Sequence, residues 1–214
     1  FKTGTACIEA AIDIKDQMIN RAARVWDVEA SEIEYSGAVI RHKSDPELSI
    51  TFSDMAALLN GTGGPIVGRA TVNPAGVGNA FAVHIADVKV DKETGKVDIL
   101  RFTSLQDVGK AIHPSYVEGQ MQGGALQGIG WALNEEYFFT DDGTMANSSF
   151  LDYRMPTSLD LPMIDTVIIE VPNPRHPFGL RGVGETVLIP PMAAMANAIY
   201  RATGVRMDKL PMSP

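Results

Sequence analysis

Three short stretches of this 214-residue sequence set polar side chains among glycine or proline, and each could do chemistry. In LRGVGETVLIPP, Glu185 follows Gly182 and Gly184, with Val183 and Val187 on either side. A carboxylate held in an apolar, glycine-shaped pocket has its ionised form disfavoured, which raises its pKa toward the range useful for a general base. The plainer alternative is a glutamate in the first turn of a helix, favoured there by the helix dipole. In DVGKAIHP, Asp107, Lys110 and His113 lie on a strand-to-helix connection, a common place for ligand contacts. An Asp-initiated turn that stops before a proline accounts for the same residues. In GQMQGGALQGIGWAL, residues 119–133, five glycines interrupt what otherwise scans as a helix, each costing about 1 kcal/mol relative to alanine. Gly119 and Gly123, then Gly124 and Gly128, are four apart, and Gln120, Gln122 and Gln127 add amides that both donate and accept hydrogen bonds. Either this helix packs very closely on a neighbour, or its backbone makes a ledge for a polar, phosphate-bearing ligand.

The elements that must position these residues are legible from periodicity. Residues 5–26 carry Cys7, Ala11, Ile14, Met18, Ala22 and Val25 at spacings of three and four, an apolar stripe, with Lys15, Asp16, Arg21 and Arg24 mostly off it. SEIEYSGAVIRH alternates around a Ser-Gly turn as a hairpin does. FSDMAALLNG offers Ser53 as N-cap and Gly61 as the stop of a short helix. GTGGPIVGRATVNPAGVGN reads as loop with one strand and as a boundary between subdomains; Ile66 replaces the third glycine of a dinucleotide-binding turn, which excludes that fingerprint. FAVHIADVKVDKETGKVDILRFTSL predicts a long antiparallel hairpin turning at Gly95, NEEYFFTDDGTM a strand and turn, and DTVIIEVPN a buried strand. MPTSLDLPMI is an extended connector, and IPPMAAMANAIYRATG a helix opened by Pro190 and Pro191 and closed by Gly204, with Met192, Met195, Ala196, Ile199 and Ala202 on one face. Strands and helices without strict βαβ alternation predict an α+β fold with mixed or antiparallel sheets and packed helices. One domain over 1–214, divisible into subdomains of about 1–65 and 66–214, suits the length.

Composition narrows the function classes. The net charge of −8 and pI near 5.0 argue against nucleic acid or an anionic membrane as the main partner. No apolar run is long enough for a membrane span, and no signal-peptide pattern opens the chain. A single cysteine, Cys7, excludes an internal disulfide and an iron–sulfur or multi-cysteine zinc site, and points to a reducing, cytoplasmic compartment. The four histidines, His42, His84, His113 and His176, are scattered, so no metal ligands are expected from the protein. The sequence starts without methionine and already in helical pattern, as a fragment lacking an upstream part would.

Taken in order, the motifs resemble the C-terminal end of the molybdenum-binding large subunit of the xanthine dehydrogenase and aldehyde oxidase family. DVGKAIHP matches its D-x-G-x-x-x-[NH]-P turn, GQMQGGALQGIG its G-Q-x-x-G-G-x-x-Q-G-x-G segment, and YRMPTSLDLP its Y-x-x-P-T-x-x-D-x-P connector. G-V-G-E at Glu185 and AMANAIYRATG complete the series, so the match runs over nearly the whole chain. GETVLIPP departs from the G-E-P-P of the animal enzymes, which suggests a bacterial or archaeal relative.

The resemblance implies a molybdenum–pterin cofactor, of the cytosine dinucleotide type, whose metal takes no protein side chain as ligand. It implies that Glu185 is the catalytic base of a hydroxylation that draws its oxygen from water. It assigns Gln120, with Gly119, to cofactor contact, together with Gly182 and Gly184, and His113 and Asp107 on the turn before the helix. Substrates of the family include aldehydes, purines, other N-heterocycles, aromatic thioesters and carbon monoxide. The 2Fe-2S clusters and FAD are expected on partner subunits or domains, and the other half of the pocket on an upstream molybdenum-binding domain. The rival expectation is a catalytically silent scaffold or binding domain of the same fold.

Overall fold

The computed structural model describes residues 2–73, 78–176 and 178–213. The chain divides into two compact units, Phe1–Ala75 and Gly76–Pro214. The glycine- and proline-rich stretch 61–79 runs across this division, and residues 74–77 of it lie outside the described residues.

The first unit packs a long helix, α1 (Lys2–Trp26), on a small antiparallel sheet of β1 (Ile33–Ser36), β2 (Val39–His42) and β3 (Ser49–Thr51). Gly37 and Ala38 both have positive φ, 58° and 62°, the geometry that lets a two-residue turn follow the strands' own twist. A short helix, α2 (Phe52–Leu58), closes the unit; its N-cap is Thr51, whose hydroxyl accepts from the Asp54 amide, not Ser53, because Phe52 already has helical pairing. The core gathers Met18, Ala22, Ala23, Ile33, Ile40, Met55 and Leu59. The predicted α1 stripe is thus only half right: Met18 and Ala22 are buried, whereas Cys7, Ala11 and Val25 are exposed. Arg21, expected off the stripe, is buried. Its Nη1 donates to the carbonyls of Leu59 and Gly64 and to Thr62 Oγ1, so a charge holds the backbone that leaves α2. Residues 62–73 form no strand.

The second unit carries the chemistry. The predicted hairpin is β4 (Phe81–Val90) and β5 (Val97–Asp107), antiparallel, with Gly95 at φ 76° in its turn. β6 (Asp165–Ile169) joins β5 in parallel. It is an edge strand with Val167 and Ile169 exposed, not the buried strand expected, because only one of its sides is paired and only one sheet face is covered. The covering helices are α3 (Pro114–Leu133) and α4 (Pro190–Thr203), the latter ending on Gly204 in the left-handed conformation as its sequence predicts. Ala202, placed on the apolar face of α4, is exposed instead. The segment after α3 makes a single bridge, Phe139 to Met145, rather than a strand. Phe102, Ala125, Ile129, Ala132, Ile164, Met195 and Ile199 form the main core. Among the described residues no helix is long and apolar enough to cross a membrane.

The five glycines of α3 separate by role. A Cβ on Gly124 would collide with the Val187 side chain, and one on Gly130 with Glu135, which Tyr153 holds by a 2.7 Å hydrogen bond. A Cβ on Gly128 would stand 2.7 Å from both the Leu188 carbonyl and Pro191. Gly119 and Gly123 have nothing within 4 Å of that position. Close packing therefore explains three glycines and leaves two unexplained by the fold.

Two measurements follow from this packing. Gly128→Ala should lose about 1–3 kcal/mol of stability through overpacking against backbone, whereas Gly123→Ala should gain about 0.5–1 kcal/mol; thermal or urea unfolding of the two variants reads the difference. His84, on the covered face of β4, has its pKa lowered by burial to about 4. Its fold therefore favours the neutral ring, so stability is full above pH 6.5 and declines as pH falls from 6.5 toward 4; His84→Gln should flatten that part of the profile.

Candidate functional site

The glycine-rich loop 182–185 lies against the exposed end of the α3 stripe. It reaches there because β5 passes directly into the turn Asp107–Gly109 and then into α3, while the returning chain pairs back at Gly109 and Leu180. The Arg181 amide donates to the Val108 carbonyl at 2.9 Å, which fixes the residue before the loop to the one after β5. At its other end a 3-10 turn, Thr186–Leu188, buries Val187 beside Val108 and Met121, in the notch left by Gly124. Between these points the loop crosses in front of Gln120: the Gln120 Oε1 lies 3.6 Å from where a Cβ of Gly184 would stand. Gln120, Gly184 and the residue after it, Glu185, therefore belong to one surface.

The sequence-predicted residues do not all share that surface. Gly119, Gly123, Gln120, Gly182, Gly184 and Glu185 are exposed, and on α3 Gly119 and Gly123 make a strip of bare backbone with the Gln120 amide beside it. Glu185 caps the 3-10 turn, and its exposure means that the apolar enclosure expected for it is not supplied by this unit's own residues. Asp107 is committed to the protein. One oxygen accepts from the Gly109 and Val171 amides, and the other pairs with Arg181 Nε at 3.0 Å, with both side chains only 12% exposed. Lys110 pairs with Glu170, whose carboxyl is held below the usual range by the Ala111 amide and then by Lys110. His113 is the N-cap residue of α3, stacked on Tyr116 at 4.0 Å with Ser115 Oγ on its Nδ1. It stands two helical turns before Gln120, so it borders the strip without joining it.

Two functional supports escaped the sequence reading. Arg181, read only as part of a motif, also donates to the Val171 and Asn79 carbonyls and so ties three segments together. Gln106, next to Asp107 and on the opposite face of β5, is fully buried and donates to the Gly182 carbonyl at 2.7 Å. Strand alternation against Asp107 was the available signal, since it turns a polar side chain inward.

Does such a surface suit a pterin with phosphates? A flat ligand needs backbone it can approach and a side chain that donates and accepts, and the strip at Gly119 and Gly123 with Gln120 supplies both. Among the described residues no group of three or more His, Cys, Asp or Glu could hold a metal ion. The residues fit the cofactor that the motifs imply.

Comparison with known proteins leads to the same place. A family model described as molybdopterin cofactor-binding domain matches residues 1–162, a range that includes the α3 strip and stops before Glu185. The xanthine dehydrogenase molybdenum-binding subunit of Escherichia coli O157:H7 is 32% identical over 219 residues, covering 100% of this chain and 29% of its own length. The carbon monoxide dehydrogenase large chain of Afipia carboxidovorans is 30% identical over 203 residues, covering 92% of this chain and 25% of its own. The chain thus spans less than a third of the length of these relatives. Among solved structures, Cu,Mo-CO dehydrogenase in its carbon monoxide reduced state superposes with a TM-score of 0.74 at 26% identity, over 94% of this chain and 26% of that one. Quinoline 2-oxidoreductase from Pseudomonas putida 86 gives 0.72 at 27% identity, over 92% and 26%. The chain belongs to the molybdopterin cofactor-binding domain family of the molybdenum hydroxylases.

Proposed function

We propose that this chain forms one wall of the active site of a molybdenum hydroxylase, with Glu185 as its general base. The observation that supports the reading is Gln120 against Gly184, one residue before Glu185, with all three residues exposed. When bound, the molybdenum–pterin group supplies the two-electron oxidation of the substrate, with water as the oxygen source. The chain's own residues bind, orient and move a proton. Gly119 and Gly123 let the pterin lie against bare backbone, and Gln120 gives it one donor and one acceptor. The Glu185 carboxylate accepts the proton that hydroxylation releases, on a loop anchored at Arg181 and Val187 so that the carboxylate keeps its position.

The exposure of Glu185 fits a site completed by another part of the protein. An upstream molybdenum-binding domain would cover the surface, exclude water and supply the substrate pocket. Relatives are named for xanthine, carbon monoxide, nicotinate and aldehydes, so the substrate class is a small oxidisable molecule of this range. The cofactor is taken to be the cytosine dinucleotide form, and 2Fe-2S and FAD to reside on partner subunits or domains that accept the electrons. A cytoplasmic location suits the lone exposed thiol of Cys7.

Assembly with the complete large subunit tests the assignment. Glu185→Gln should keep molybdenum content at the wild-type level while turnover falls by about 10²–10⁴-fold or more; near-wild-type turnover would remove Glu185 from the mechanism. Gln120→Ala should act earlier, lowering the molybdenum found per subunit by metal analysis, and unchanged occupancy would remove the proposed contact.

A further inference from the structure

Between its anchors at Arg181 and Val187, the loop that carries Glu185 has few side-chain contacts of its own. Gly182 and Gly184 bring high backbone freedom: among the described residues a Cβ on Gly182 would meet nothing within 4 Å, and one on Gly184 only the Gln120 oxygen. Loops of this composition stay mobile unless a specific contact fixes them. One such contact comes from beneath. Gln106 stands on the covered face of β5, opposite Ala82 of β4 and Ile168 of β6, with no exposed surface. Its Nε2 donates to the Gly182 carbonyl at 2.7 Å, and the same carbonyl accepts from Thr186 Oγ1 at 3.3 Å.

The rest of the surroundings argue that packing does not explain this residue. Val108, Met121 and Val187 make the neighbouring core, and an apolar side chain at 106 would suit them. The Gln106 Oε1 is buried with no hydrogen-bond partner among the described residues, a state that costs stability. Two residues back along β5, Ser104 is equally buried and sits 2.9 Å from His84 Nε2, while His84 Nδ1 also lacks a partner among the described residues. From these buried polar side chains the Gln106 amide reaches out to the loop.

We infer that Gln106 is a positioning residue, a tether from the centre of the sheet to Gly182 that holds the Glu185 loop in place. The tether acts on the backbone between two anchors: Gly182 is drawn down onto β5, and Val187 is locked in the Gly124 notch. Glu185 lies between them. The inference rests on the reading of Glu185 as the base for its effect on catalysis, but the tether itself is a property of this chain.

Gln106→Met tests it, since the unbranched side chain keeps the volume and removes both the donor and the orphaned oxygen. Hydrogen exchange by NMR on the 214-residue chain should show the two hydrogen-bonded amides that bracket the loop, Arg181 on the Val108 carbonyl and Leu188 on the Glu185 carbonyl, exchanging about 10-fold faster, with the melting temperature unchanged or raised. Exchange unchanged at Arg181 and Leu188 would overturn the tether. A measurement on the unaltered chain removes any dependence on the variant folding: the side-chain amide protons of Gln106 should be strongly protected from exchange by NMR, and rapid exchange would equally overturn it. In the complete enzyme Gln106→Met should lower kcat by about 10–100-fold with KM and molybdenum content unchanged. Wild-type kcat there would overturn the positioning role, while full turnover in Glu185→Gln would instead strike the base assignment and leave the exchange result standing.

Discussion

The contact on which the rest depends is the seating of Val187 and Pro191 against α3, possible only because Gly124 and Gly128 lack side chains. A helix normally keeps a neighbouring backbone at a distance set by its Cβ atoms. Here two glycines four residues apart remove that barrier on one stripe, and the segment leading into α4 approaches until the Leu188 carbonyl nearly touches the helix. That approach decides where the loop 182–185 must run, and hence which part of α3 it faces.

The same helix uses glycine for two opposed purposes. On the stripe at Gly124 and Gly128 its bareness is filled by this chain, and the helix gains packing in exchange for propensity. On the stripe at Gly119 and Gly123 it is left open, and the helix carries the propensity loss with no internal return. An open glycine stripe beside a glutamine, next to a loop bearing a carboxylate, has the form of half a binding site. The largely buried ion pair of Asp107 with Arg181 and the Gln106 hydrogen bond to the Gly182 carbonyl lie beside this surface.

Much of this was legible in the sequence, and the reasons are local. The hairpin β4–β5, the Gly37 turn and the capped helix α4 announce themselves through alternation, positive-φ residues and proline at a helix start. The order of motifs named the family. What escaped is decided by distant neighbours. Arg21 looked like a surface residue because nothing in its own helix says that the carbonyls of Leu59 and Gly64 will need a donor there. β6 looked buried because its composition is apolar, while its exposure follows from being the last strand of its sheet. The α3 glycines looked like one strip, and only the position of Val187 and Pro191 divides them. Glu185 looked enclosed because valines flank it in sequence, but Val187 turns inward and leaves the carboxylate in the open.

The central claim is that the open stripe of α3 and the Glu185 loop together form the face on which the molybdenum–pterin group rests. A structure of the assembled, cofactor-loaded large subunit, with the metal located by anomalous scattering at the molybdenum edge, tests this most directly. The account requires the pterin along Gly119 and Gly123 in contact with Gln120, and the Glu185 carboxylate turned toward the metal. A metal peak remote from Glu185, with Gly119 and Gly123 covered by protein instead, would contradict it.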